Sequence, residues 1–145
     1  MAITNLNQLS FVSEESINKQ AKQAYDSIKK TENIIKSGSQ VRMLNEVGKK
    51  VTSSVESYFN EMGQFETLKN YEWEYILIDD PDTLNAWCMP GGKIAFYTGI
   101  LDITENEDGM ASVMGHEIAH AVAKHSLERA SQSLALKVGT TILDI

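Results

Sequence analysis

The apolar period of this chain changes once, near residue 63, and that change limits the fold more than any other feature. Before it, Ile17, Ala21, Ala24, Tyr25, Ile28 and Ile35 recur at helical spacing, and Val41, Leu44, Val47, Val51, Val55, Tyr58, Phe59 and Met62 do so again. The first series predicts a helix from about Glu14 to Lys36, with Ser13 as its cap, acidic residues at its positive end and a stop at Gly38. The second predicts a helix closing near Gly63. Beyond it, "YEWEYILI" (71–78) alternates apolar with charged residues and then turns wholly apolar, the pattern of a strand running into a core. "DDPD" (79–82) ends that strand as a turn. "LNAWCM" and "KIAFYT" flank "PGG" (90–92), where Pro fixes one backbone angle and Gly permits positive φ, which makes a β-hairpin. Helices followed by strands predict an α+β fold: two N-terminal amphipathic helices and a small antiparallel sheet with an edge hairpin.

A third helix follows. Thr104 and Glu107 stand at the T-x-x-E spacing of a capping box, so this helix is expected to start near Glu105 and to carry Met110, Val113, Met114, Ile118, Val122 and Leu127. In its middle lies "GHEIAH" (115–120). Helical residues four apart differ by only about 40° around the axis, so His116 and His120 can point their imidazoles at one ion. Glu117 is close enough to address a water on that ion without ligating it. Two histidines, a carboxylate base and an open position are what a catalytic zinc requires.

Catalytic zinc ordinarily has three protein ligands, so a third must come from elsewhere. His125 lies five residues past His120, about 140° further round, and faces away unless the helix breaks. Glu128 is about 12 Å along the axis from His120, too far for the same ion. Cys88 shares a strand face with Leu84 and Ala86 and reads as a small buried hydrophobe.

The remaining composition sets bounds. A length of 145 residues with 42% apolar and 23% charged residues fits one domain, 1–145, able to bury a core. A net charge of −7 argues against nucleic acid as a partner, because phosphate binding needs a basic surface. The lysines of the first helix (Lys19, Lys22, Lys29, Lys30, Lys36) read as a solvated face. Cys88 is the single cysteine, so no intramolecular disulfide forms. No apolar run has the length of a membrane span, and "MAITNLNQLSF" lacks the basic-then-apolar design of a signal peptide.

With these residues placed, the chain resembles the zinc endopeptidases of metallopeptidase family forty-eight, the HtpX-like and CAAX-prenyl-protease-like group, over its N-terminal portion. It is most similar to the soluble or lipid-anchored extracytoplasmic bacterial branch. The likeness rests on "NAWCMPGGKIAFYTGIL" (85–101), "ASVMGHEIAHAVAKHSLER" (111–129) and "NLNQLSFVSEE" (5–15). The resemblance implies a zincin-like fold with one zinc ion held by His116 and His120, and Glu117 as general base. It also implies a polypeptide substrate paired to the hairpin edge, with Asn85 and Ala86 nearest the scissile bond. In the family the third ligand is a glutamate on a later helix in an E-x-x-x-x-D context, and no acidic residue after His120 stands in that context. The chain is therefore expected to be a truncated catalytic domain with little or no activity. A periplasmic or cell-envelope location, membrane association through an N-terminal anchor, and self-association through exposed apolar surface complete the expectations. Two other readings stay open: a non-catalytic, chaperone-like module that holds extended polypeptide on the strand edge, and a zinc hydrolase acting on a non-peptide substrate.

Overall fold

The computed structural model describes residues 2–138, with side chains described over 15–64 and 66–123. In chain order the elements are α1 (Ala2–Thr31), β1 (Ile34–Ile35), α2 (Ser39–Glu61), α3 (Phe65–Leu68), β2 (Glu74–Ile78), β3 (Ala86–Met89), β4 (Lys93–Tyr97), a 3₁₀ turn (Thr98–Ile100), α4 (Leu101–Thr104) and α5 (Glu107–Val138). The α+β expectation holds, with five helices and one small sheet among the described residues.

The sheet is mixed rather than antiparallel. Its order is β1-β2-β4-β3, with β2 and β4 parallel from Glu74↔Lys93 to Ile78↔Tyr97. β3 pairs antiparallel with β4 alone, from Ala86↔Phe96 to Met89↔Lys93. Burial explains the order. Ile94, Ala95 and Phe96 are fully enclosed, and Ile76, Leu77 and Ile78 nearly so, so β4 and β2 must both have neighbours on each face. The half-buried β3 takes the outside.

Successive residues divide between two cores, as strand geometry requires. Leu77, Ala86, Ile94 and Phe96 face Leu44 and Val47 of α2 and Met110, Met114 and Ile118 of α5. Ile76, Ile78 and Ala95 face α1 through Tyr25, whose hydroxyl donates to the Ile94 carbonyl at 3.1 Å. At the hairpin turn Gly91 and Gly92 adopt φ of +91° and +93°, and the Tyr71 and Trp73 rings close over Gly92.

Three boundaries differ from the sequence reading. α1 begins at Ala2 and ends at Thr31, so Ser13 lies inside it and does not cap it. Ile34 and Ile35 leave the helical series to pair with Ile78 and Leu77, because β2 offers their backbone a ladder and β-branched side chains suit it. α5 starts at Glu107, and its cap is Asn106, whose side-chain oxygen accepts the Gly109 N–H at 2.9 Å. Thr104 instead closes α4, its hydroxyl donating to the Leu101 carbonyl at 3.2 Å. Between them Glu105 sits at φ +65°, and the Asn106 N–H donates to the Thr104 carbonyl at 2.7 Å, a tight three-residue turn.

Candidate metal centre

α5 owes its orientation to Met110, Met114, Ile118 and Ala121, a buried stripe at helical spacing. About a third of a turn away around the axis, His116 and His120 are exposed. Their ring centroids are 4.3 Å apart with the planes inclined at 46°, so the two imidazoles stand side by side on one face. Their spacing and imidazole nitrogen donors suit a single divalent ion such as zinc. Ala121 is buried, whereas Ala119 and Ala123 are exposed, so close packing of small residues occurs on one side of the helix only.

Glu117 is half-buried. Burial pushes the Cys88 thiol up to about 12, and the negative charge of Glu117 adds to that rise. The thiol is therefore neutral, and its proton is directed to the Met89 carbonyl at 3.5 Å. β3 can come this close to α5 because the residues it turns toward the helix, Ala86 and Cys88, are small.

Asn85 is exposed just before β3, and its carbonyl accepts the Tyr97 N–H at 3.1 Å, which extends the hairpin by one pair. Ala86 is buried within the core cluster beside Met110 and Met114, so only its main chain can meet a ligand. The structure thus sets His116 and His120 side by side on α5 and packs the buried stripe of α5 against Ala86 of β3, with Asn85 just before that strand. Among the described residues no three His, Cys, Asp or Glu side chains gather into a metal cluster. The side chains of His125, Leu127 and Glu128 lie outside the described residues.

A further feature was not read from the sequence: a cavity of about 850 Å³ between α2 and α5, walled by Val51, Val55 and Tyr58 on one side and Gly115, Ala119 and Val122 on the other. The only signal for it is the excess of apolar positions in α2 over what one core face can take up, with Tyr58 and Met62 left 59% and 56% exposed.

Comparison with known proteins places these residues in context. The chain is 47% identical over 62 residues to the mitochondrial metalloendopeptidase OMA1 of Schizosaccharomyces pombe, covering 43% of this chain and 18% of that protein. It is 36% identical over 53 residues to the metalloprotease YcaL of Escherichia coli, 37% of this chain and 20% of that protein. To the β-barrel assembly-enhancing protease of Escherichia coli it is 35% identical over 53 residues, 37% of this chain and 11% of that protein. These matches span about a fifth or less of each relative's length. They also correct the expected periplasmic or cell-envelope location, since mitochondrial proteins of yeasts, plants and animals are among the relatives and the likeness carries no such address. No described helix is long and apolar enough to cross a membrane. The model of peptidase family M48 matches residues 49–144, from the middle of α2 through the whole of the histidine helix, and the chain belongs to that family.

Proposed function

We propose that this chain forms part of a zinc-dependent metalloendopeptidase of zincin-like fold, in which His116 and His120 hold one zinc ion and Glu117 is the general base. The observation that carries the reading is the pair of exposed imidazoles 4.3 Å apart on α5, with the half-buried Glu117 between them in sequence. Zinc bound there would lower the pKa of a water and polarise the scissile carbonyl. Glu117, half-buried one residue after His116, would serve as the base that accepts a proton from a water at that site. The substrate is a polypeptide. It pairs through its main chain with the free edge of β3, near Asn85 and Ala86, a mode that binds extended chains with little demand on their side chains.

Turnover by the 145-residue chain itself is expected to be low, since among the described residues the two imidazoles are one short of the three protein ligands that catalytic zinc uses. The test is zinc binding to the purified chain, followed by competition with a chromogenic chelator, together with cleavage of an unfolded protein. His116→Ala and His120→Ala should each abolish zinc binding. Glu117→Gln should keep the metal and lose any cleavage the unsubstituted chain shows. Zinc held equally well by His116→Ala, or cleavage untouched by Glu117→Gln, would refute the assignment. Polypeptide binding unaffected by chelator and by Glu117→Gln, with no cleavage at all, would favour the chaperone-like reading.

A further inference from the structure

β3 differs sharply between its two faces. Toward α5 it presents Ala86 and Cys88, both small. Toward the opposite face it presents Trp87 and Met89, both large and half-buried. Trp87 is held in place on that side: its indole N–H donates to the Tyr97 hydroxyl at 3.2 Å, and the Tyr25 ring meets it edge-on with centroids 6.0 Å apart. Across the ladder from Trp87 stands Ala95, whose small side chain leaves the indole the main surface on this part of the sheet. Among the described residues nothing pairs with the outer edge of β3.

A strand added to that edge turns alternate side chains to opposite faces. Those on the α5 face come beside Ala86 and Cys88, where the walls are small and where the reading above sets the metal centre. Those on the other face come beside Trp87 and Met89. Side chains directly opposite one another on a sheet face are about 4.5–5.5 Å apart at Cβ, close enough for an indole or thioether to pack against an apolar neighbour. An indole already fixed by two partners gives up little conformational freedom when it receives one.

We propose that Trp87 and Met89 are specificity-determining residues, which select large apolar side chains at two substrate positions two residues apart, on the side of the peptide turned away from the histidines. With Asn85 and Ala86 opposite the scissile bond, the first of these positions is one step past that bond and the second two steps further. The inference rests on the reading above that the β3 edge carries the substrate, and it adds selectivity that the main-chain bonds cannot supply. Each apolar cross-strand pair is worth up to about a fivefold change in affinity, so two pairs together give up to about twenty-fivefold, and about tenfold is expected.

The test uses short extended peptides that carry Leu at two positions two apart, and the same peptides with both Leu replaced by Ser. Affinity is read by anisotropy of labelled peptide on the unsubstituted chain. In a Trp73→Phe background Trp87 is the only tryptophan, and its emission reports contact directly. The Leu peptide should bind about tenfold more tightly than the Ser peptide and shift Trp87 emission to the blue. Met89→Ala should remove part of the preference, and Trp87→Ala most of it. Equal affinity for the two peptides, binding that leaves Trp87 emission unmoved, or no peptide binding would each overturn the inference, whether or not the Trp87 variant folds. The two failures are distinguishable: both peptides bound with equal affinity fails the selectivity alone, whereas neither peptide bound fails the edge reading on which it rests, and zinc binding by the same protein tests the metal centre separately.

Discussion

Gly109 and Gly115 lie six residues apart in α5, and the same substitution is predicted to act on them with opposite sign. In an open helix interior, replacing Gly by Ala stabilises by about 1 kcal/mol, because Gly has more backbone freedom to lose on folding. Gly115 meets that condition, since a Cβ there would find no heavy atom within 4 Å. At Gly109 a Cβ would overlap the Thr104 carbonyl oxygen and stand 2.8 Å from the carbonyl carbon. That carbonyl is main chain, so no rotamer change relieves the overlap. It also accepts the Asn106 N–H in the turn around Glu105, so moving it breaks the junction that starts α5. Overpacking of this kind costs about 1–3 kcal/mol, and the upper end applies where backbone must move. Less the propensity gain, Gly109→Ala should destabilise by about 2 kcal/mol and Gly115→Ala stabilise by about 1 kcal/mol. Urea unfolding followed by far-ultraviolet circular dichroism separates them: with a slope of about 1–2 kcal/mol/M, the two midpoints should differ by about 2 M. A Gly109→Ala midpoint at or above that of the parent would refute the reasoning.

Other consequences are open to the same methods. Glu105→Gly should raise stability by about 0.5–1 kcal/mol, the relief of a strained positive φ less the extra freedom of Gly in the unfolded chain; a lower urea midpoint would show that φ +65° carries no strain. Because burial raises the Cys88 pKa from 9.0 to about 12, the fold favours the neutral thiol. Its contribution to stability is complete below about pH 9 and is lost as pH rises toward 12. At pH 8, iodoacetamide should modify the native thiol about a thousandfold more slowly than the thiol of the urea-unfolded chain, and comparable rates would contradict the burial. Tyr25→Phe deletes the buried hydroxyl that binds the Ile94 carbonyl and should cost about 1–2 kcal/mol, measured by the same urea titration. An unchanged midpoint would mean that this hydrogen bond adds nothing to what packing and the Lys29–Glu74 ion pair, 2.6 Å, already hold between α1 and the sheet.

The features legible from sequence are those decided within a few residues. The helical series from Val41 to Met62, the turn at Pro90-Gly91-Gly92 and the spacing of His116 and His120 each depend on local period or local φ, and the structure keeps all three. What escaped depends on partners distant along the chain. Ile35 fits the α1 series by spacing, yet pairing with Leu77 takes it into the sheet. Thr104 and Glu107 have capping-box spacing, but the turn at Glu105 places Asn106, not Thr104, at the helix start. The parallel pairing of β2 with β4 was signalled by two unbroken apolar runs, a sign of strands buried on both faces, although consecutive strands ordinarily suggest antiparallel neighbours. The packing of Cys88 against the buried stripe of α5 has no local signal, because it follows from which face of β3 is turned to that helix.

The sheet order also has a kinetic meaning. The β3–β4 hairpin joins residues close in sequence and can close in about 1–10 μs, whereas parallel pairing of β2 with β4 must first enclose the whole of β3 and its connections. The hairpin can therefore close before β4 has gained its second neighbour and before α5 has a sheet to lie on. At that stage it exposes two open edges, one of which β2 covers in the fold while the other is unpaired among the described residues. An edge open this early can pair with an extended segment of another unfolded copy, so the same strand is where misassembly during folding would begin.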